Sequence, residues 1–148
     1  MMRMTQPRPF AGALQKLRAV GLRPTRQRLA LARLLFEQSD RHVTAERLHG
    51  EALSAGIRVS LATIYNTLHQ FTEAGLLREV VVDSQRTYFD TNTSDHHHFF
   101  DECSGELTDI AGRNIVLAGL PQAPEGAEVT RVDVVVRVRP CERREAAD

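Results

Sequence analysis

The stretch SLATIYNTLHQFTEAGLLREVVVDSQRTYFD, residues 60–90, decides the fold. Its first half reads as a helix that Ser60 can cap and Gly75 can end. Leu61, Ile64, Leu68 and Phe71 recur at the helical period and face a core. At about 100° per residue the opposite face carries Ala62, Thr63, Asn66 and Gln70, with Tyr65 at its edge. That face is small and hydrogen-bonding rather than apolar. After Gly75 two β-rich runs, residues 78–82 and 86–90, flank the polar turn Asp83-Ser84-Gln85, which predicts a hairpin.

Upstream, the spacing predicts three more helices. PFAGALQKLRAVGLR (9–23) puts Phe10, Ala13, Leu14 and Leu17 on one stripe, with Gly21 as its stop. PTRQRLALARLLFEQSD (24–40) offers Thr25 as N-cap and an apolar face of Leu29, Leu31, Leu34 and Leu35 running to Ser39. HVTAERLHGEALSAG (42–56) opens its helix at Thr44, buries Ala45, Leu48, Ala52 and Leu53, and ends at Gly56. Helices followed by a two-stranded ribbon are the order of a winged helix-turn-helix, in which one helix enters the major groove. Asn pairs bidentately with adenine, and Thr or Tyr touches a thymine methyl, so the face around Asn66 suits AT-rich sequence. The same pattern also fits a helical interaction module whose arginines are merely solvated.

Charge separates these readings in part. The formal net charge of the 148 residues is +0, yet residues 1–78 carry +7 and residues 79–148 carry −7. Eight basic residues precede the first acid, Glu37. A basic half implies a polyanionic partner, and an acidic half something cationic. The arginines from Arg3 to Arg33, Arg23 and Arg26 among them, would bind phosphates with affinity that falls steeply as salt rises. No apolar run is long enough to cross a bilayer and no signal-peptide pattern opens the chain, so the expected location is the cytoplasm, away from membranes. Two cysteines, Cys103 and Cys141, exclude a disulfide scaffold.

Downstream, Asn92, Thr93 and Ser94 form a short polar linker. HHHFFDE and ELTDI read as strands around the turn Ser104-Gly105, residues 114–120 as a short helix before Pro121, and EVTRVDVVVRVR (128–139) as an alternating strand. The last places Val132, Val134, Val136 and Val138 on one face. A β-β-α-β unit this small buries little by itself, so its sheet is expected to join a second copy. A homodimer also suits a helix-turn-helix that reads two half-sites.

The triplet His96-His97-His98 cannot chelate one ion from an extended strand, because alternate side chains point to opposite faces. His96 and His98 share a face; His97 shares the other with Asp95. The His96/His98 pair needs further ligands, for which His42 and Asp90 are the natural candidates. Imidazole with carboxylate suits Fe²⁺, Mn²⁺ or Zn²⁺. Haem stays open, since imidazole is a common axial ligand and Phe99 and Phe100 are apolar neighbours. His49 and His69 have no neighbouring acid or cysteine and read as structural or surface groups. A metal-dependent hydrolase lacks a general base apart from the ligands, and no Ser or Cys nucleophile is paired with a base.

GLRPTRQR (21–28), HVTAERLH (42–49), VSLATIYNTLHQFTEAGLL (59–77), RTYFD (86–90) and DHHHFFDECSG (95–105) together resemble the ferric uptake regulator superfamily, most of all its iron response regulator branch. The resemblance covers nearly the whole chain. It implies an α+β protein: a winged helix-turn-helix DNA-binding domain over 8–90, a hinge over 91–94, and a small α/β dimerisation and sensing domain over 95–140. Residues 1–7 and 141–148 would be disordered tails. Ser60, Thr63, Tyr65 and Asn66 would contact DNA, with Arg23 as a minor-groove contact. The family's hinge metal site maps onto His42, Asp90, His96 and His98, with Asp90 where a Glu is usual.

Departures from the pattern are equally specific. The family's first zinc-binding cysteine pair falls on Asp101 and Ser104, and two cysteines rule out a Cys₄ structural zinc within one chain. The second family metal site keeps Asp95 and has His97 for the usual Asp. Its downstream Glu falls near Val116, and no histidine follows His98. In the iron response regulator branch the triplet is associated with haem, which implies haem at His96, His97 and His98 and weaker operator binding when it is present. The expectation is therefore an iron- or haem-responsive regulator, not an enzyme, acting as a homodimer or higher oligomer on an AT-rich dyad. The alternative is a direct Fe²⁺, Mn²⁺ or Zn²⁺ sensor whose metal promotes DNA binding. A DNA-binding module that senses nothing is a third reading.

Overall fold

The computed structural model of the chain describes residues 11–141. Phe10, Arg3 and the expected tails, apart from Cys141, lie outside the described residues. The order is α1 (Ala11–Ala19), α2 (Arg26–Phe36), β1 (His42–Val43), α3 (Ala45–Ser54), α4 (Leu61–Glu73), β2 (Arg78–Val81), β3 (Thr87–Asp90), β4 (His96–Asp101), β5 (Leu107–Ala111) and β6 (Val135–Val138). A 3₁₀ turn, Gly112–Asn114, follows β5. The chain divides into two compact units between Thr93 and Ser94. The α+β class expected from the pattern is the one observed.

In the first unit the three expected hydroxyl caps all form. Thr25, Thr44 and Ser60 accept the backbone N–H three residues on, at 3.2, 3.2 and 3.1 Å, and so satisfy a donor the helix cannot. α4 ends at Gly75, whose φ of 83° is open to glycine without a Cβ penalty. There the Leu76 N–H reaches the Phe71 carbonyl at 2.9 Å and the Gly75 N–H reaches Thr72 at 3.0 Å, which closes the last turn. Gly56 ends α3 in the same way, so α3, a short turn and α4 make the helix-turn-helix. Ile64, Leu68 and Phe71 have no exposure and join Leu17, Leu31, Leu35, Leu48 and Phe89 in one core. Leu53, expected inside, is 54% exposed, because the stripe of α3 closes on Leu48 and Ala52.

The hairpin forms as its turn residues predict. Asp83 accepts the N–H groups of Gln85 and Arg86 at 2.8 and 2.9 Å, and β2 pairs with β3 from Arg78↔Asp90 to Val81↔Thr87. One strand was not anticipated. β1 is two residues long and adds to β3 in the order β1-β3-β2, with His42 opposite Asp90.

The second unit is a three-stranded sheet, order β5-β4-β6, with β6 parallel to β4. Two expectations need correction. The helix over 114–120 is absent: seven residues are too few to hold a helix without tertiary packing, and Val116, Leu117 and Leu120 are 89%, 43% and 59% exposed. The expected β-β-α-β unit is thus strand, strand, 3₁₀ turn, strand. The strand over 128–139 is cut to Val135–Val138, the residues that find ladder partners on β4. No helix among the described residues is long and apolar enough to cross a membrane.

Candidate metal centre and nucleic-acid interface

Asp90, at the end of β3, is fully buried. A carboxylate removed from water needs cationic or hydrogen-bonding partners. Its Oδ1 accepts the Asn92 N–H at 2.9 Å, and its Oδ2 lies 3.1 Å from Nε2 of His42 on the neighbouring strand. Register places buried Arg78 opposite Asp90 on the other side of β3. One imidazole and one carboxylate oxygen therefore converge within the first unit.

A second convergence lies within the second unit. His96 and His98 point to one face of β4, as strand alternation requires, and are 4% and 1% exposed. Their rings stand edge to face, centroids 4.6 Å apart. Both Nε2 atoms lie 3.4 Å from Oδ1 of Asp109, which sits opposite His98 on β5. His96 Nδ1 is 2.6 Å from the Ser94 carbonyl oxygen. A carbonyl only accepts, so Nδ1 carries the hydrogen, and in the neutral ring Nε2 is a lone pair. A lone pair facing a carboxylate oxygen calls for a positive charge, either a proton or a metal ion. Holding Nδ1 on a carbonyl is also how protein metal sites aim an imidazole. Buried imidazoles with carboxylate oxygens fit Fe²⁺, Mn²⁺ or Zn²⁺.

His97 differs from its neighbours. Its Nδ1 accepts the Val134 N–H at 3.1 Å, so the ring ties the segment leading into β6 to β4. With that lone pair engaged, the neutral ring carries its hydrogen on Nε2. Asp95 is exposed, and among the described residues no third metal-binding side chain converges with Asp95 and His97. Cys103 and Cys141 are free and exposed thiols.

On α4 the residues open to solvent are Ala62, Tyr65, Asn66, His69, Gln70 and Glu73; Thr63 is half-buried rather than open. Most polar groups there are held. Ser60 Oγ caps the helix and lies 3.0 Å from Thr63 Oγ1. Gln70 Oε1 accepts from Arg28 Nε and Nη2 at 3.3 and 2.9 Å, while Arg28 Nη1 donates to the Arg23 carbonyl at 2.9 Å. Tyr65 donates to Glu46 Oε1 of α3 at 2.5 Å. That bond, then backbone hydrogen bonding, holds the Glu46 carboxyl below its usual range, and the same bond raises Tyr65. Arg23 and Arg26 are exposed. His49 is structural, its Nε2 3.0 Å from the Val59 carbonyl oxygen.

Sequence reasoning missed Asp109 and Glu46, and read Arg28 only as one of the phosphate-binding arginines. Asp109 was within reach: counting the β4–β5 hairpin back from its turn puts it opposite His98, on the same face. Glu46 and Arg28 act across helices, and no spacing within one segment reports such a pairing.

The profile of the ferric uptake regulator family matches residues 19–136. The peroxide-responsive repressor PerR of Staphylococcus aureus is 37% identical over 99 residues, 66% of this chain and 66% of that repressor, just under two thirds of its length. The ferric uptake regulator from Pseudomonas aeruginosa with manganese superposes with a TM-score of 0.65 at 25% identity, over 88% of this chain and 98% of that one. The fold is shared as well with the Vibrio cholerae ferric uptake regulator, TM-score 0.66 at 23% identity, covering 85% and 98%. The chain belongs to the ferric uptake regulator family, whose members are metal-responsive transcription regulators and not enzymes.

Proposed function

We propose that this chain is a cytoplasmic, dimeric, DNA-binding repressor whose effector is a divalent ion held by His42, Asp90, His96, His98 and Asp109. The observation that carries the reading is buried His96, whose Nδ1 lies 2.6 Å from the Ser94 carbonyl oxygen and whose Nε2 faces Oδ1 of Asp109 at 3.4 Å. The relative from Pseudomonas aeruginosa was solved with manganese, which agrees with this donor set. Chain length supports a shared ion: six positions separate Asp90 from His96, so extended backbone keeps their Cα atoms within about 20 Å. When bound, the ion supplies positive charge that both half-sites are built to meet. His42 and Asp90 belong to the unit that carries α4; His96, His98 and Asp109 belong to the other. Ligands drawn from both units favour one inter-domain geometry, and only such differential affinity shifts a population toward DNA binding.

On the DNA side, Asn66 carries the base readout together with Ser60, Thr63 and Tyr65, and Arg23 and Arg26 meet the phosphates. Asn66 is favoured because its carboxamide makes no hydrogen bond among the described residues, which leaves it available to an adenine edge in an AT-rich dyad. Dimerisation through the second unit is supported by its edge strands β5 and β6 and by exposed Val116, Leu120 and Val129.

The haem reading, with His96, His97 and His98 as ligands and loss of DNA binding as the output, rests on the triplet. It asks more of the fold. His96 and His98 are buried, and His97 Nδ1 is engaged with Val134, so an axial bond to a macrocycle requires β4 or β6 to open. A DNA-shift titration of the metal-stripped protein with Mn²⁺, Fe²⁺ or Zn²⁺ and separately with haem decides by sign. Metal-promoted binding that is lost in Asp109→Ala supports the ion. Binding that needs no metal and is abolished by haem overturns it.

A further inference from the structure

We infer that Glu46, on α3 and outside the recognition helix, sets the base preference of Tyr65 by taking its hydroxyl hydrogen. The inference rests on the DNA-binding reading above. The Tyr65 hydroxyl donates to Glu46 Oε1, and both residues are open to solvent. The pair lines one cleft of about 210 Å³ together with the hairpin residues Ser84, Gln85, Arg86 and Thr87. A recognition helix and a wing meet the duplex on such a face.

The consequence follows from hydrogen-bond inventory. A phenol has one hydrogen to give and lone pairs to accept with. With its hydrogen committed to Glu46, Tyr65 offers a base only its oxygen lone pair. It can then accept from the amino group of adenine or cytosine, but it cannot donate to O6 or N7 of guanine or O4 of thymine. The carboxylate also stands as a fixed negative charge toward a polyanion, so it lowers affinity for every sequence while sharpening the choice among them. The carboxyl is ionised at neutral pH, and the bond from Tyr65 favours that form further.

The test uses the full chain, saturated with Mn²⁺, and a duplex that it selects from a randomised pool. The base pair read by Tyr65 is the one at which Tyr65→Phe removes a preference. At that pair Glu46→Ala is expected to reduce discrimination about five-fold, the worth of one hydrogen bond, while raising affinity for all duplexes at low salt. Glu46→Gln should raise affinity in the same way yet keep the preference, since its amide oxygen still accepts from Tyr65. In the Tyr65→Phe background, Glu46→Ala should change affinity but no preference. Unchanged discrimination in Glu46→Ala, equal effects in both backgrounds, or no position sensitive to Tyr65→Phe would each overturn the inference. Failure of the wild-type chain to select any sequence would overturn the DNA-binding reading, and the inference with it.

Discussion

The two units solve the burial problem differently. The first closes on itself: four helices and a small sheet place Leu17, Leu31, Leu35, Leu48, Ile64, Leu68, Phe71 and Phe89 at 0–1% exposure. The second buries one face of β4 through His96, His98 and Phe100, while Phe99 is 41% exposed and Val116, Leu120 and Val129 stand in solvent. A self-contained unit carries the helix-turn-helix, and a half-finished sheet carries His96 and His98. The difference teaches where a second chain belongs. Each unit leaves apolar side chains open, Leu53 and Val81 on the first. The second, however, combines exposed Val116, Leu120 and Val129 with a sheet that covers little of itself, which supports the proposed association through that sheet.

The sharpest break in this contrast is to damage the closed core. Phe71→Ala removes a side chain with no exposure, packed against Phe36 with ring centroids 6.3 Å apart. It should cost about 3–5 kcal/mol of stability, read by thermal or denaturant unfolding of the first unit's signal. Leu120→Asp tests the open sheet. Leu120 is 59% exposed in the single chain, so the substitution should leave each protomer folded. Burial of a leucine is worth about 1.5–3 kcal/mol, and it enters a symmetric interface twice. The dimer dissociation constant, followed by sedimentation, should therefore rise by about two to four orders of magnitude. An unchanged dimer would place the interface elsewhere.

How much of this was legible in the sequence tracks the range of the interactions involved. The caps at Thr25, Thr44 and Ser60 and the α4 stripe depend on neighbours within a turn, so local chemistry shows them. The hairpin was equally plain, because Asp83 organises its turn from within. β1 escaped because two residues carry no period; it is a strand only because β3 lies beside it. Residues 114–120 look helical in isolation, but nothing among the described residues covers Val116 or Leu120. The His42–Asp90 and His96/His98 groupings came through alternation and resemblance, whereas Asp109 needed register and Glu46 needed the packing of α3 on α4.

The second unit offers a smaller test than the core. His98→Ala removes one imidazole from a face already holding His96 and Asp109. Mn²⁺ affinity, measured by calorimetry, should fall by at least about 100-fold, since loss of a group that merely orients a ligand already costs about 10–100-fold. His97→Ala should leave it nearly unchanged, because His97 bonds to Val134 on the opposite face. Equal losses in both variants would erase the distinction between the faces of β4.

The smallest effect belongs to the Glu46–Tyr65 bond, and its pH dependence has two limbs of opposite sign. The folded Glu46 carboxyl is depressed below its ordinary value of 4.5, so its contribution to stability is present above that value and lost as pH falls through the folded one. The folded Tyr65 hydroxyl is raised above 10.0, so its contribution is present below 10.0 and lost as pH rises through the folded value. One hydrogen bond produces both limbs. It therefore stabilises across the interval from about 4.5 to 10.0 and outside it fades on either side. Both groups are solvent-exposed, which limits the gain to about 0.5 kcal/mol. Melting curves of wild type and Tyr65→Phe should differ by that amount at pH 7 and converge at both extremes. Since both proteins keep the ring, a difference undiminished after Glu46 has been protonated would mean that the Tyr65 hydroxyl stabilises the fold without the ionised carboxylate.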